Sequence, residues 1–421
     1  MLPNYIIKTP RNEPLKFTKR NNDERMRRSS GMEEDEALSS APPANSSTTP
    51  SSSKTFIDQF IDRSHRITIP DNTRKLAFIH IGKSGGSTIS ILLRNGCMSA
   101  VDGIPCESNR FMKIPNQVEE TIASKRILFY LHTPHADKDN MTQYYQRINS
   151  VVVVARDPME RFISAFLSRH PVNIEMIRKR NRQIRTLAEA KGIEPPVWAK
   201  TIWGSGDTEL DQECRAAYNG CFPTLEDLAM CAADPRMMLM MDEEEETITT
   251  SNGKMYNTII QWRANRKKHS KEVSFNCSEL CRDIMTGKNR YIQHVRNNYD
   301  AFLKDLPTET EVFVLRTTKI WEDWVDVNNI LGATKNVVVP EKGSDADVVN
   351  ARGKLPVRNN LSPRGQRIIC HFLKNDIRVY IGLLNRAVNL SNNDVRDALE
   401  VIHRHCPLIL SSLVEGGAIS S

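Results

Sequence analysis

The chain has 421 residues, 39% of them hydrophobic, and a formal net charge of +7. That length holds one large α/β domain with a tail or two modest domains, and the low apolar share predicts that part of the chain does not pack. The charge is mild and unevenly spread, which suits an anionic ligand or acceptor and excludes the dense basic stripe of a nucleic-acid binder.

Residues 1–54 run from a basic stretch between Lys8 and Arg28 through the acidic Glu33 to Glu36 into ALSSAPPANSSTTPSSSK. This composition buries too little apolar surface to offset backbone entropy and predicts a disordered, low-complexity tail. Four short apolar runs then read as buried strands: LAFIHI from Leu76, RILFYLH from Arg126, SVVVVAR from Ser150 and EVFVLR from Glu311. Each is apolar on both faces, the pattern of a parallel sheet covered by helices. Helical patterns follow three of them: Thr88 to Asn95, DPMERFISAFLSRH with Asp157 as N-cap and Pro158 in the first turn, and KIWEDWVDVNNILG stopping at Gly332. Repeated strand, loop and helix predict a doubly wound α/β domain with ligands at the carboxyl ends of its strands.

This domain is assigned to 70–405, with a C-terminal tail at 406–421. Helices and loops inserted over about 171–290 carry a basic helical stretch from Arg178 to Arg185, an acidic run from Asp242 to Glu246 and a basic cluster from Arg263 to Lys271. Near the C-terminus, Ser362 caps a long helical segment reaching about Val388, and SNNDVRDALEVIHRH begins another. No apolar run is long enough for a membrane span, and MLPNYIIK lacks the arrangement of a signal peptide. Nine cysteines allow one or two disulfides in an oxidising compartment, without fixing their pairing. No C-x-x-C pair occurs, and HRHC at His403 to Cys406 reads as surface and packing residues rather than a metal nest. Sequons stand at Asn45, Asn140, Asn276, Asn360 and Asn389.

Two stretches carry chemistry. In HIGKSGGST, a strand ends in a glycine-rich turn that feeds a helix, so backbone N–H groups converge where phosphate or sulfate binds. Gly82, Gly85 and Gly86 allow close approach, Lys83 adds charge, and Ser87 and Thr88 add hydroxyls. The lysine precedes the paired glycines, unlike the order of a Walker loop, and no G-x-G-x-x-G is present. In ARDPMERFISAF, Arg156 ends the third strand and Ser164 follows in the next helix, a second anion element at the same sheet edge. His80, inside the first strand, reads as a packed core histidine.

Together HIGKSGGST and RDPMERFISAF resemble the two cofactor-binding elements of the carbohydrate sulfotransferases, in particular those related to heparan sulfate 2-O- and 6-O-sulfotransferases. CFPTLEDLAMC and VFVLRTTKIWEDWVDVNNILG resemble later segments of the same family, so the likeness runs in patches from Leu76 to Gly332. It implies a P-loop-NTPase-like, three-layer α/β fold: a parallel sheet with flanking helices, a helical insertion and a helical C-terminus. It also implies 3′-phosphoadenosine 5′-phosphosulfate (PAPS) as co-substrate, no metal, and a Golgi location, against which stands the lack of an anchor; the other location is a soluble cytoplasmic one. By this resemblance Lys83 touches the bridging oxygen, Ser84, Gly85, Gly86, Ser87 and Thr88 hold the 5′-phosphate, and Arg156 and Ser164 hold the 3′-phosphate. Arg316 joins the cofactor set or is structural.

A base for the acceptor hydroxyl is expected in YLHTPHADKDN, at His135 in preference to His132, because HAD resembles the stretch around the catalytic histidine of the 6-O-sulfotransferases. A neutral imidazole titrating near 6.5 suits that task. The acceptor is expected to be a glycan or other hydroxyl compound; the Arg178 to Arg185 stretch reads first as a solvated helix face, and otherwise as a groove for an anionic glycan. Two other readings stay open: a P-loop-like nucleotide kinase or hydrolase, and a catalytically inactive nucleotide-binding relative.

Overall fold

The computed structural model describes residues 56–90, 121–131, 138–190, 192, 217–233, 259–263, 272–286, 293–296, 298–337, 339 and 361–415. Its strands are β1 (Leu76–Ile79), β2 (Ile127–Leu131), β3 (Ser150–Ala155), β4 (Ile259–Arg263), β5 (Glu272–Asn276) and β6 (Glu311–Arg316). Four of them form one parallel sheet in the order β2–β1–β3–β6, on the four apolar runs. β1 stops at Ile79 and β3 at Ala155, so His80, Ile81 and Arg156 stand in the turns beyond.

Alternate residues serve two cores. Ala77, Ile79, Val151, Val153, Val312 and Val314 join the larger one, with Phe162 and Phe166 of the helix Pro158–Arg169 and Leu384 of the helix Lys374–Arg386. Leu76, Phe78, Val152, Val154, Phe313 and Leu315 face the smaller one, under Trp324 and Val327 of the helix Ile320–Ile330. Burial on both faces is why the strands read as continuous rather than alternating apolar runs. Asn328 fastens the smaller layer: its side chain accepts from Ala123 N–H at 2.8 Å and donates to the Trp324 carbonyl at 2.8 Å.

The outer edge of β6 is closed by the chain after Arg386. Val388 N–H donates to the Val312 carbonyl at 2.8 Å. The Asn389 amide then imitates a strand residue, accepting from Val314 N–H at 2.9 Å and donating to the Val314 carbonyl at 2.8 Å. A side chain thereby satisfies polar groups that would otherwise template foreign strands.

The structure departs from the sequence reading at several places. The domain reaches beyond 70–405 at both ends: Ile57 and Phe60 are buried, and Ile409, Leu410 and Leu413 of the helix Pro407–Glu415 join the same core. Cys406, placed in the tail by sequence, is bonded to Cys370, and a second disulfide joins Cys221 to Cys277. Within 171–290, β4 and β5 form an antiparallel pair that helix-and-loop reading missed; its register sets Ile260 against Phe275 and Trp262 against Val273. The segment after Ser362 is two helices, Pro363–Phe372 and Lys374–Arg386, broken at Leu373.

Candidate functional site

The strand order fixes where a ligand belongs. The chain passes from β1 outward to β2, then crosses to β3 on the other side of β1, so the carboxyl ends of β1 and β3 flank the topological switch point. In open α/β sheets that crevice is the ligand site. Both anion elements read from the sequence open onto it.

The turn after β1 has a constrained backbone. Lys83 has φ 70° and Gly85 φ 86°, and Lys83 is the only non-glycine residue at positive φ among those described. Left-handed geometry costs a β-carbon-bearing residue of order 1–3 kcal/mol and gathers at functional turns. At Gly86 a Cβ would stand 2.2 Å from Cδ2 of His80, so any larger residue is refused there. His80 is 6% exposed and hydrogen-bonds the Tyr130 hydroxyl through Nδ1 at 3.0 Å, the packed position expected of it.

Side chains far away in sequence tie this turn to β3. Tyr299, fully buried, donates its hydroxyl proton to the Arg156 carbonyl at 2.8 Å and accepts from Arg156 N–H at 2.7 Å. The Ser84 hydroxyl completes the set at 3.2 Å from the same phenol oxygen. The Thr317 hydroxyl, just past β6, lies 2.8 Å from the Ser84 carbonyl and 2.9 Å from the Ala155 carbonyl.

Tyr299 is itself pinned. Its N–H donates to Asp376 Oδ1 at 2.6 Å, and Asp376 pairs with Arg161 at 3.2 Å in a fully buried ion pair. The Arg161 guanidinium lies 5.8 Å from the Tyr299 ring centroid. Burial pushes the Asp376 carboxyl above its ordinary range, and Arg161 with the Tyr299 and Asp300 N–H groups works against that push. Burial likewise holds the Tyr299 phenol well above its ordinary value, so it stays a donor.

At the second element, Asp157 caps the helix Pro158–Arg169 by accepting from Glu160 N–H at 2.9 Å. Arg156 is half-buried and donates from Nε to Glu160 at 3.1 Å, the pair being 30% and 41% exposed. Ser164 lies one helical turn beyond Glu160, so Arg156, Glu160 and Ser164 share one side of the helix start. On its other side Asp157 meets Nδ1 of His405 at 3.0 Å. That hydrogen bond raises the His405 pKa above 6.5 against the opposing effect of burial. This histidine, which the sequence reads as one of a set of surface and packing residues, therefore touches the residue next to Arg156.

Arg316 has a different fate. Two of its nitrogens grip Asp323, at 3.0 Å to Oδ2 and 2.6 Å to Oδ1, and a third reaches Asp394 at 2.6 Å. Of the two roles open to it from sequence, these contacts favour the structural one. Thr88 is buried in the short helix Gly86–Ser90, where Ser87 also lies. His132 and His135 lie outside the described residues.

The sequence reading missed Tyr299, Thr317, Arg161 and Asp376. Arg161 stood inside RDPMERF and Thr317 directly after a strand, both visible signals, whereas nothing local marks Tyr299 or Asp376.

The profile of the Sulfotransferase family matches residues 65–380. The chain belongs to the sulfotransferase family. The match spans the four-stranded sheet, both anion elements and the Tyr299–Asp376–Arg161 network, and ends before His405. Searches of curated proteins and of solved structures return no match. Membership of this family supports sulfuryl transfer to an acceptor as the reaction.

Proposed function

We propose that this sulfotransferase takes its sulfuryl group from PAPS and delivers it to a hydroxyl of a carbohydrate. The observation that carries the reading is the placement of two anion elements, the Lys83–Gly86 turn and Arg156, at one switch point and tied to a common phenol oxygen. A donor with a 5′-phosphosulfate and a separate 3′-phosphate fits two such elements. A three-layer, P-loop-like arrangement of this sheet and its flanking helices would put the donor at the same place.

In this reading the backbone from Ser84 to Ser87, with the Ser87 and Thr88 hydroxyls, holds the 5′-phosphate, and Arg156 and Ser164 hold the 3′-phosphate. Lys83, held in a left-handed turn, carries its ammonium to the oxygen bridging phosphorus and sulfur. His135, or His132 in its place, removes the acceptor hydroxyl proton. The acceptor oxygen forms a bond to sulfur as the sulfur–bridging oxygen bond breaks, and Lys83 stabilises the charge gained by the departing adenosine 3′,5′-bisphosphate. A charge-assisted contact made at the departing oxygen is strongest as the bond breaks, which is what lowers a barrier.

An anionic glycan suits the basic face of the helix Pro171–Ala190, which follows the Ser164 helix after a break at His170 and exposes Lys179 and Arg182. The disulfides Cys221–Cys277 and Cys370–Cys406 suit an oxidising lumen such as the Golgi. The test is transfer of radiolabelled sulfate from PAPS to a panel of neutral and anionic glycans. Label is expected on a glycan with the wild type and not with Lys83→Ala or His135→Ala. Binding of adenosine 3′,5′-bisphosphate with no acceptor ever labelled would sink the catalytic reading; no binding of either nucleotide would sink the donor assignment.

A further inference from the structure

We propose that Tyr299 is a positioning residue that sets the spacing between the two anion elements, and so makes the enzyme selective for donors carrying both phosphates. The inference rests on the donor assignment above. A phenol oxygen donates one hydrogen bond and accepts two. Here all three places are taken: Arg156 C=O accepts, and Arg156 N–H and the Ser84 hydroxyl donate. One atom therefore contacts the first residue after β3 and the middle of the turn after β1.

The phenol cannot drift with either partner. Tyr299 N–H is held by Asp376, its ring packs at 5.1 Å on Tyr380, and the Arg161–Asp376 pair fixes the start of its helix to the core. The distance between the two elements is thus set before a ligand arrives. A ligand with two anionic groups then binds its second group as an intramolecular event, gaining affinity that neither element alone provides. A ligand with one such group gains nothing from the fixed spacing.

Tyr299→Phe keeps the ring and removes the oxygen. Ser84→Ala breaks the same link from the turn side. Affinities for adenosine 3′,5′-bisphosphate and for adenosine 5′-monophosphate are to be measured on the full chain by ligand-observed NMR, with circular dichroism as the check on folding. For Tyr299→Phe the bisphosphate is expected to weaken about ten- to a hundredfold and the monophosphate less than about threefold, the range that loss of an effective concentration allows. Ser84→Ala should show the same selective loss and decides the matter alone if Tyr299→Phe does not fold. Equal weakening of both ligands, no weakening of either, or a wild type that binds both equally well overturns the proposal. A wild type that binds neither nucleotide overturns the donor assignment instead, so the two failures are told apart.

Discussion

Arg156 and Arg316 stand at the carboxyl ends of neighbouring strands, one residue after Ala155 and directly opposite it in the β3–β6 register. In sequence they look alike: an arginine closing an apolar run. In the structure they differ in what surrounds the charge. Arg316 is 10% exposed in its side chain and lies under Asp323 and Asp394, which neutralise it. Arg156 meets one carboxylate, Glu160, at a boundary where both are substantially solvated. An arginine saturated by two carboxylates, one of them fully buried, belongs to the frame, while one left partly open at a switch point could receive an anion. Burial raises Asp394, but Ser391 and Arg316 together bring its pKa down to about 2.

The contrast is best broken by mutation. Arg316→Ala leaves Asp323 buried without its partner, and loss of one member of such a pair costs about 3–5 kcal/mol. A large drop in denaturation midpoint is therefore expected; an unchanged midpoint would erase the distinction. Lys83→Ala should lower kcat about 100- to 1000-fold, the scale for removing one charge-stabilising donor, with bisphosphate affinity changing far less. Arg156→Ala should raise the PAPS KM about tenfold or more while shifting the midpoint by less than about 1 kcal/mol, since a solvated pair contributes little to folding. If Arg156→Ala unfolds the protein and Arg316→Ala only weakens donor binding, the two assignments are exchanged.

A smaller effect concerns His405, which faces Asp157 with Glu160 and Arg404 nearby. Its pKa is raised in the folded state, so its contribution to stability is fully present below 6.5 and fades as pH climbs through the folded value. Denaturation of wild type against His405→Gln should therefore show a gap at pH 6 that narrows by pH 8. A gap of constant size would mean that the imidazole acts by packing alone.

Much of the frame was legible because it is local. Doubly buried strands announce themselves by β-branched runs, and Asp157 with Pro158 marked a helix start that the structure reproduces. The two candidate anion elements stood out for the same reason, each being a short stretch of contiguous residues. What joins them was not. Tyr299 and Asp376 act through contacts between distant segments, and no periodicity encodes which side chain a folded core brings to a turn. Arg316 shows the converse limit, since its neutralisation depends in part on Asp394, in the first turn of a helix 78 residues away in sequence. The Asn389 sequon likewise hid its use as a strand surrogate on β6.

The left-handed backbone at Lys83 has a consequence for how this protein trades durability against chemistry. Elsewhere glycine is the poorer choice beside alanine by about 0.5–1 kcal/mol, because it is freer in the unfolded chain. At position 83 the order should invert: Lys83→Gly relieves a conformation that Lys83→Ala retains, so the glycine variant should melt at the higher temperature. A protein selected for endurance alone would carry glycine there. The lysine therefore holds a place in the turn that glycine would fill at lower conformational cost.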